Sequence, residues 1–564
     1  MAVRTRILAI ASVPILVAGL VAVLSGTSAA SPSTNNWKFA PDINAPWAHE
    51  GDDENDLDTP DAAVALCRSA PFNTTAAYAA TSDVNAIVGD ALNNSGASNL
   101  GCSTPQNETS IAVDPTNPMH LVAGANDYRV CCDFTALNDS TAWAYTSFDG
   151  GTTWTNVQVP GLTAETGGQG QFAKADSAGD PAMAFGPDGT VYYANIVFSR
   201  VSPASGVAVS VSHDGGLTWD QPNMVSWVKS ADFFNDKEFI GAGPNGKVVV
   251  TWTKFALGPR GAGFLQSPIV MAISMDRGHT WNNQGRPVSD ASHPFDSGSM
   301  PIFGPDGALY VAYEGAQPST GFATDATVVA RSTDNGAHFS NVEIGRVFDD
   351  LDCYPVFQGR QTLTDEHFRL NSFPAFSIDP VTGHLAVAWA DDEGVGNCGT
   401  GHSSFSGTTA AQVKLVTGAW GALSAPVTIT SGADKVFPGV AARNGVVAVT
   451  YYTRDFSATH NPATCDVKIP DDAPAGVVSV ETIDHSVCLD YAASVSSDGF
   501  ASERRLTSEG SNPFVEFADG SFIGDYSQAA IGSNGVVHTA WTDFRGRPGV
   551  TAANQDVYVA NFTP

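Results

Sequence analysis

Short runs of apolar residues, many of them alternating or β-branched, recur along most of this chain and are separated by glycine, proline and aspartate. Residues 207–211 and 269–273 are two examples, rich in valine, isoleucine, alanine and methionine. Runs of this length and composition predict β-strands. Helical periodicity is scarce, so the sequence predicts an all-β protein built from short antiparallel strands.

A second pattern repeats together with the strands. Four segments read serine, any residue, aspartate, any residue, glycine, two further residues and an aromatic ring, at intervals of about 60 residues, the length of one supersecondary unit. They are Ser147-Phe-Asp149-Gly-Gly151-Thr-Thr-Trp154, Ser212-His-Asp214-Gly-Gly216-Leu-Thr-Trp219, Ser274-Met-Asp276-Arg-Gly278-His-Thr-Trp281 and Ser332-Thr-Asp334-Asn-Gly336-Ala-His-Phe339. The aspartate can accept hydrogen bonds from its own turn, the glycine adopts a positive φ, and the aromatic ring packs beneath. Each copy therefore predicts a rigid turn between two strands.

This repeat resembles the Asp box, or bacterial neuraminidase repeat, of sialidase-like β-propellers, and the match covers residues 147–339. In that family the Asp box joins the third and fourth strands of a four-stranded antiparallel blade, away from the active site. The resemblance therefore implies a structural role for Asp149, Asp214, Asp276 and Asp334. It identifies the fold and leaves the chemistry open.

The strand order supports seven blades. Proline, then aspartate or asparagine, then glycine stand between the first and second strands at residues 187–189, 244–246 and 305–307, a combination typical of hairpins. From residue 373 the order continues without the box, except for the degenerate copy around Asp498. A strand near residues 84–88 would complete the last blade and close the ring, which removes exposed sheet edges. Six blades, as in sialidases, are the alternative.

The N-terminal hundred residues differ from the rest. Residues 1–30 contain Arg4 and Arg6, an apolar core and a small-residue exit, a pattern that predicts a secretory signal peptide, with an uncleaved membrane anchor as the alternative. Residues 31–104 are expected to form an acidic, partly irregular extension, and residues 105–564 the propeller. The acidic run at residues 50–61 is typical of a solvated segment, and a structural calcium loop is the alternative.

Charge and cysteine content narrow the functional classes. The chain has 27 basic and 58 acidic side chains, a net charge of −31, which disfavours nucleic acid and anionic membranes as partners. Eight cysteines in an exported chain predict disulfides, and sequence proximity suggests Cys353–Cys398 and Cys465–Cys488. We expect a secreted monomer that contacts an extracellular glycan or glycoconjugate, without a cofactor and without membrane contact after signal cleavage.

The resemblance also places a pocket on the propeller axis, bordered by residues just before first strands and just after second strands. Many ionisable residues stand there. Those before first strands are Glu108, Asp180, Asp236, Lys237, Glu238, Asp525 and Tyr526; those after second strands include Asp127, Arg129, Glu314, Asp391, Asp392, Tyr452, Arg454, Asp455 and Arg545. This concentration of charge favours a functional mouth over a plain scaffold.

Sialidases bind a substrate carboxylate with three arginines, and they use a tyrosine activated by glutamate as nucleophile and an aspartate as acid. By position, the resemblance implies Arg129, Arg454 and Arg545 as the clamp, Tyr526 with Glu238 as the nucleophile pair and Asp180 as the acid. Asp127 and Tyr452 are the alternatives for acid and nucleophile and are expected to contact substrate.

The sequence departs from sialidases at one motif. The Phe/Tyr-Arg-Ile-Pro segment that carries the first clamp arginine is absent, and the nearest equivalent is Asn126-Asp-Tyr-Arg129 after a second strand. Three functions therefore stay open. The first is a glycan-active enzyme, either an exo-glycosidase of sialidase type or a polysaccharide lyase. The others are a non-catalytic propeller that binds glycan or protein, and a structural adhesion protein.

Overall fold

The fold was analysed in a computed structural model, which describes residues 75–77, 83–88, 105–128, 140–259, 263–350, 352–357, 360–394, 398, 405, 407–461, 465, 486–515, 522–545 and 555–564. Within these residues, seven antiparallel sheets are arranged as blades around one axis, beside a separate two-stranded hairpin. The predicted seven-bladed β-propeller is confirmed, and the six-bladed alternative is wrong. The predicted signal peptide and the acidic run at residues 50–61 lie outside the described residues.

Strands β1 (Thr75–Ala77) and β2 (Asp83–Asn85) come first in the chain. Blade 1 contains β3 (Gln106–Val113), β4 (Leu121–Asp127), β5 (Thr141–Ser147) and β6 (Thr153–Gln158). Blade 2 contains β7 (Ser177–Phe185), β8 (Val191–Phe198), β9 (Ser205–Ser212) and β10 (Asn223–Val228). Blade 3 contains β11 (Phe233–Ala242), β12 (Val248–Leu257), β13 (Phe264–Gln266), β14 (Ile269–Ser274) and β15 (Asn282–Pro287). Blade 4 contains β16 (Asp296–Phe303), β17 (Leu309–Ala316), β18 (Asp325–Ser332) and β19 (Ser340–Val347).

The separate hairpin, β20 (Val356–Phe357) and β21 (Arg360–Gln361), precedes blade 5. Blade 5 contains β22 (Ala375–Ile378), β23 (Leu385–Asp391), β24 (Gln412–Ala419), β25 (Ala422–Leu423) and β26 (Val427–Thr428). Blade 6 contains β27 (Lys435–Arg443), β28 (Val446–Thr453), β29 (Asp490–Val495) and β30 (Arg504–Arg505). Blade 7 contains β31 (Gln528–Ile531), β32 (Val537–Asp543) and β33 (Asp556–Phe562). Short 3₁₀ turns occupy Phe172–Lys174, Pro244–Gly246, Pro318–Thr320, Ser457–Thr459, Ser496–Asp498 and Pro513–Val515.

The ring is closed by the N-terminal segment. Strand β2 pairs antiparallel with β33, with Val84 opposite Val559, and so becomes the outer strand of blade 7. Strand β1 pairs with β6 on the outside of blade 1. The predicted closure by a strand near residue 84 is confirmed, and the propeller sheets thus include two strands that precede residue 105.

Apolar cores lie between adjacent blades. Blades 7 and 1, for example, enclose Ile111, Trp143 and Val559. Because each blade is covered on both faces by its neighbours, every residue of β4, β5, β8 and β9 is buried. This double coverage explains why many strands read as continuous apolar and small-residue runs.

The four predicted turns connect the third and fourth strands of blades 1 to 4. In blade 1, the Asp149 carboxylate accepts hydrogen bonds from the backbone N–H groups of Thr152 and Thr153, at 3.0 and 2.9 Å, and the Ser147 hydroxyl accepts one from Gly151 N–H at 2.8 Å. Gly151 has a φ of 92°, and Trp154 is fully buried. Asp214, Asp276 and Asp334 accept the corresponding backbone bonds, and the expected turn geometry is confirmed.

Both suggested disulfides are present, Cys353–Cys398 and Cys465–Cys488. Among the described residues, no helix is long and apolar enough to cross a membrane. The strand directions define two faces of the propeller. First strands begin at one face, which we call the upper face, and the four turns lie at the opposite face because third strands end there. A mostly apolar channel of about 320 Å³ runs between the inner strands of all seven blades.

Candidate functional site

The innermost strands aim charged side chains toward the axis at the upper face. In blades 1, 2 and 3 the pairing register shifts between the first two strands, and the first residue of each bulge is Glu108, Asp180 or Lys237. These residues have φ values of 55°, 52° and 51°, in the left-handed region that non-glycine residues rarely occupy. Such strain persists only where the surrounding structure fixes it, and bulges often redirect side chains at functional sites.

The ammonium group of Lys237 lies at the centre of this cluster. Its Nζ is 2.9 Å from Asp525 Oδ2, 3.0 Å from Asp180 Oδ2, 3.4 Å from Glu108 Oε1 and 3.9 Å from Asp236 Oδ1. The Lys237 side chain is 5% exposed, and the four carboxylates are similarly buried. We call Lys237 and these four acidic residues the axial cluster.

Arg369 joins the axial cluster from the segment between blades 4 and 5. Its guanidinium makes two parallel hydrogen bonds to Asp525, Nε to Oδ1 at 2.8 Å and one terminal nitrogen to Oδ2 at 2.7 Å. Asn371 donates to the backbone carbonyl of Asp525 at 2.9 Å. The sequence did not predict this contact, because Arg369 lies in an insertion. Arg369 was not among the predicted site residues.

Asn126 links the bulges of blades 1 and 2. Its amide nitrogen donates to Glu108 Oε2 at 3.0 Å, and its oxygen accepts the backbone N–H of Asp180 at 2.8 Å. Asn126 is the last residue but one of β4, directly before Asp127. The amide therefore fixes the carboxyl group of Glu108 relative to the backbone of Asp180.

Burial and the charges of neighbouring groups shift the pKa values within this cluster in different directions. Burial, followed by the negative charge of Asp180, raises the pKa of Glu108 well above its usual range. Burial alone would lower the pKa of Lys237, but Asp180 and the other three carboxylates raise it. For Asp525, burial is outweighed by Arg369 and Lys237, which hold its pKa far below the usual range. Lys237 and Asp525 therefore stay charged at neutral pH, and Glu108 is driven toward its neutral form.

Glu238 and Tyr526 are buried beside the axial cluster. Among the described residues, the Glu238 carboxyl group has only its own backbone N–H as a hydrogen-bond partner. The Tyr526 hydroxyl has no hydrogen-bond partner among these residues. Burial, followed by the charge of Asp180, raises the pKa of Glu238 well above its usual range. Burial, followed by Glu108 and Asp180, does the same for Tyr526. Since buried polar groups normally have partners, these two groups are candidates for hydrogen bonds to a guest molecule.

A small cleft leads to Tyr526 from the side of blades 4 to 6. Its lining includes Gly298, Asn371, Phe373, Phe437, Asp525 and Tyr526. The Tyr526 ring packs edge-on against Phe239, with centroids 5.1 Å apart.

Asp180, Glu238 and Tyr526, the predicted catalytic residues, are therefore brought together by the structure. Asp127 and Tyr452 form hydrogen bonds with other residues of the blades. The Asp127 carboxylate accepts a hydrogen bond from Tyr145 at 2.8 Å, and Tyr452 exchanges two hydrogen bonds of 2.9 Å with the backbone of Thr542. Their expected contacts with substrate stay predictions.

The predicted arginine clamp is dispersed in the described structure. Arg454 donates to the Thr364 carbonyl at 2.7 Å and lies 3.5 Å from Asp434 and 3.8 Å from Glu366. Arg545 forms ion pairs with Asp543 and with Asp83 of strand β2. Arg129 lies outside the described residues. The clamp role of all three arginines stays a prediction.

Carboxylates also gather away from the axial cluster. Glu314, Asp325 and Asp349 are buried, and each offers one oxygen within 4.8 Å of the others. Carboxylate oxygens are the ligands that calcium prefers, but carboxylate proximity alone does not assign a metal here.

No protein-family model and no curated protein matches this sequence. Several solved structures share partial similarity. One is a protein of unknown function from Dyadobacter fermentans, 15% identical with a TM-score of 0.39, covering 62% of this chain and 91% of that one. A Hadza microbial sialidase is 14% identical with a TM-score of 0.37, and the match covers 68% of this chain and 65% of the sialidase. An α-L-arabinanase from Penicillium chrysogenum is 16% identical with a TM-score of 0.38, over 62% and 88% of the two chains. At these TM-scores the similarities carry no weight for activity.

Proposed function

We propose that this protein is a secreted, sialidase-like β-propeller with Asp-box repeats that hydrolyses glycosidic bonds at the upper end of its axis. One observation carries the proposal: Glu238 and Tyr526 are buried polar groups without a hydrogen-bond partner from another described residue, and they lie beside Asp180 and Asp525, whose carboxylates contact Lys237. Glycosidases need a protonated carboxyl group and an ionised one in the same site. The secretory pattern at residues 1–30 and the two disulfides support export.

The electrostatics favour one assignment of roles. Burial raises the pKa of Glu238 and so favours its protonated form, whose proton can pass to the leaving-group oxygen of a glycoside. Asp180 is paired with Lys237 at 3.0 Å, which favours the ionised form and suits it to stabilise positive charge at the anomeric carbon. Water then adds to the anomeric carbon and gives its proton to the Glu238 carboxylate, which restores the protonated acid. This assignment reverses the roles that the family resemblance implies for these two residues. A neutral Glu238 cannot take the proton of Tyr526, so Tyr526 acts as a hydrogen-bond donor to the sugar.

The test is a hydrolysis screen of the exported protein against aryl glycosides, including sialosides, arabinofuranosides and common hexosides. Tyr526→Phe removes one hydroxyl and keeps the ring. The matched control is Tyr310→Phe in blade 4, whose hydroxyl donates to Asp306 near the opposite face. We expect turnover of at least one glycoside, a fall of about tenfold or more for Tyr526→Phe, and wild-type rates for the control.

Hydrolysis that is equal in wild type and Tyr526→Phe would place the active site elsewhere and reject the proposal. Glycan binding without hydrolysis of any substrate would also reject it, and would identify the chain as a non-catalytic, glycan-binding propeller. Release of an unsaturated sugar from a uronate polymer would instead identify a polysaccharide lyase.

A further inference from the structure

We propose that the axial site accepts an uncharged sugar and discriminates against sialic acid and uronic acids, an inference that rests on the proposed function. The inference follows from the ion pairs that the cationic side chains near the site already form within the protein. A substrate carboxylate needs a cation whose hydrogen bonds are available to it, as in a bidentate arginine contact.

The ammonium group of Lys237 already forms ion pairs with carboxylates of the protein. Four carboxylates approach its ammonium group within 3.9 Å, and the side chain is almost fully buried. An ammonium group has three hydrogens to donate, and the two closest acceptors, Asp525 and Asp180, lie at 2.9 and 3.0 Å. A substrate carboxylate would have to displace one of these groups from a buried position.

Arg369 is committed in the same way. Its fork is matched to both oxygens of Asp525, at 2.8 and 2.7 Å, and its planar face lies 4.5 Å from the ring centre of Phe522. The bidentate geometry that would recognise a sugar carboxylate is thus already satisfied by Asp525. Arg454 and Arg545 are likewise held by Glu366, Asp434, Asp543 and Asp83.

Among the described residues, the balance of charge at the site is acidic. The axial cluster contains four carboxyl groups, while Lys237 and Arg369 supply two positive charges. Even with Glu108 protonated, three carboxylates face two cations. An incoming carboxylate would therefore meet net repulsion in a site with little water to screen it.

The groups that remain available suit hydroxyl groups. The Tyr526 hydroxyl and, in its protonated form, the Glu238 carboxyl group can each donate one hydrogen bond and accept others. A sugar hydroxyl can satisfy both functions at once without bringing a charge into the buried site. The chemistry of the site therefore matches a neutral pentose or hexose.

Binding measurements test this inference without requiring turnover. Titration calorimetry at about pH 7 would compare matched sugars that differ in one carboxylate: glucose with glucuronic acid, and galactose with galacturonic acid. Arabinose and N-acetylneuraminic acid complete the panel. We expect an uncharged sugar to bind at least about tenfold more tightly than its acidic counterpart. Tighter binding of the acidic member, or no binding by any uncharged sugar, would overturn the inference.

A charge variant tests the cause. Asp525→Asn removes the carboxylate that occupies Arg369, so the preference for the uncharged sugar should shrink by about tenfold. If Asp525→Asn does not fold, Asp236→Asn tests the same preference by removing one carboxylate from around Lys237. Asp188→Asn, which loses an ion pair with Arg277 at the opposite face, should leave the preference unchanged. An unchanged preference in both cluster variants would contradict the inference.

The two proposals fail in different ways. Hydrolysis of sialosides in preference to neutral glycosides would overturn the inference and leave the hydrolase intact. Selective binding of an uncharged sugar with no hydrolysis of its glycosides would reject the hydrolase and keep the specificity.

Discussion

The guanidinium group of Arg545 donates a hydrogen bond of 2.5 Å to the carboxylate of Asp83, a residue 462 positions earlier in the chain. Asp83 begins the N-terminal strand β2, and Arg545 follows the second strand of blade 7. Asp83 also accepts the backbone N–H of Ser508 at 3.0 Å. This contact therefore ties the closing strand to blade 7 and, through Ser508, to the segment that leads out of blade 6.

Asp83→Asn should destabilise the closed ring, because it leaves part of the Arg545 charge uncompensated in a buried position. We expect a loss of about 3 kcal/mol in the free energy of unfolding, the usual cost of breaking a buried ion pair. Chemical denaturation of the purified protein measures it. The control is Asp188→Asn, which breaks an exposed pair with Arg277 and should cost less than about 1 kcal/mol. Equal effects of the two substitutions would show that the Asp83 contact does not secure the ring.

Lys237→Met should destabilise the protein strongly at neutral pH. The substitution keeps most of the length of the side chain but leaves four buried carboxyl groups without their shared cation. A loss of about 3 to 5 kcal/mol is expected. Since protonation relieves the repulsion between carboxylates, the loss should be smaller at about pH 4 than at about pH 7. Thermal unfolding at both pH values checks this.

Lys254→Met is the matched control, because Lys254 lies over the half-exposed ring of Phe233, 4.6 Å from its centroid, outside the axial cluster. It should change stability by less than about 1 kcal/mol at either pH. A Lys237→Met protein as stable as this control would show that the four acids do not need the ammonium group.

The raised pKa of Asp392 should make the folded protein less stable as the pH rises. Burial raises the pKa of Asp392 to about 8, and its neighbours Asp434 and Asp391 add to the effect. Between the unfolded value of about 3.8 and the folded value, the folded state binds more protons than the unfolded state, so stability falls as pH increases.

Asp392 contributes up to one proton to the difference in proton binding between the folded and unfolded states, and Asp392→Asn removes this contribution. One proton corresponds to a slope of about 1.4 kcal/mol per pH unit. The slope of unfolding free energy between about pH 5 and pH 7 should therefore be less negative in the variant. An unchanged slope would mean that Asp392 ionises normally in the folded protein. The absolute stability is a poorer readout, because the asparagine amide brings its own hydrogen-bonding demand into the buried site.

Local sequence patterns were enough to predict most of the fold. The serine, aspartate, glycine and aromatic positions of the turn act within one hairpin, so Asp149 and Gly151 predict its geometry without knowledge of the rest. Val84 was identified as a closing strand because a propeller without an outer seventh strand would expose a sheet edge. Both disulfides join cysteines that are close in the chain.

The site was less predictable because its contacts are long-range. Position relative to the strands placed Asp180, Glu238 and Tyr526 together, since inner strands begin at the same end of the axis. It could not show that Arg545 pairs with Asp83, nor that Arg369 reaches Asp525 from an insertion. The left-handed conformation of Glu108 and Lys237 also lacks a sequence signal, because glycine is the residue that normally marks a positive φ.

Steady-state kinetics of Glu238→Gln, on a glycoside that the wild type hydrolyses, tests most directly whether the upper axial site is the active site. Glutamine matches the size and neutrality of the buried carboxyl group but cannot donate its proton to a leaving group. We expect the melting temperature to stay within about 3 °C of wild type while kcat/KM falls by about 100-fold or more. Glu343→Gln, which changes a partly exposed glutamate paired with His293 in blade 4, should retain full activity. A Glu238→Gln enzyme that keeps wild-type kcat/KM would contradict the placement of catalysis at this site.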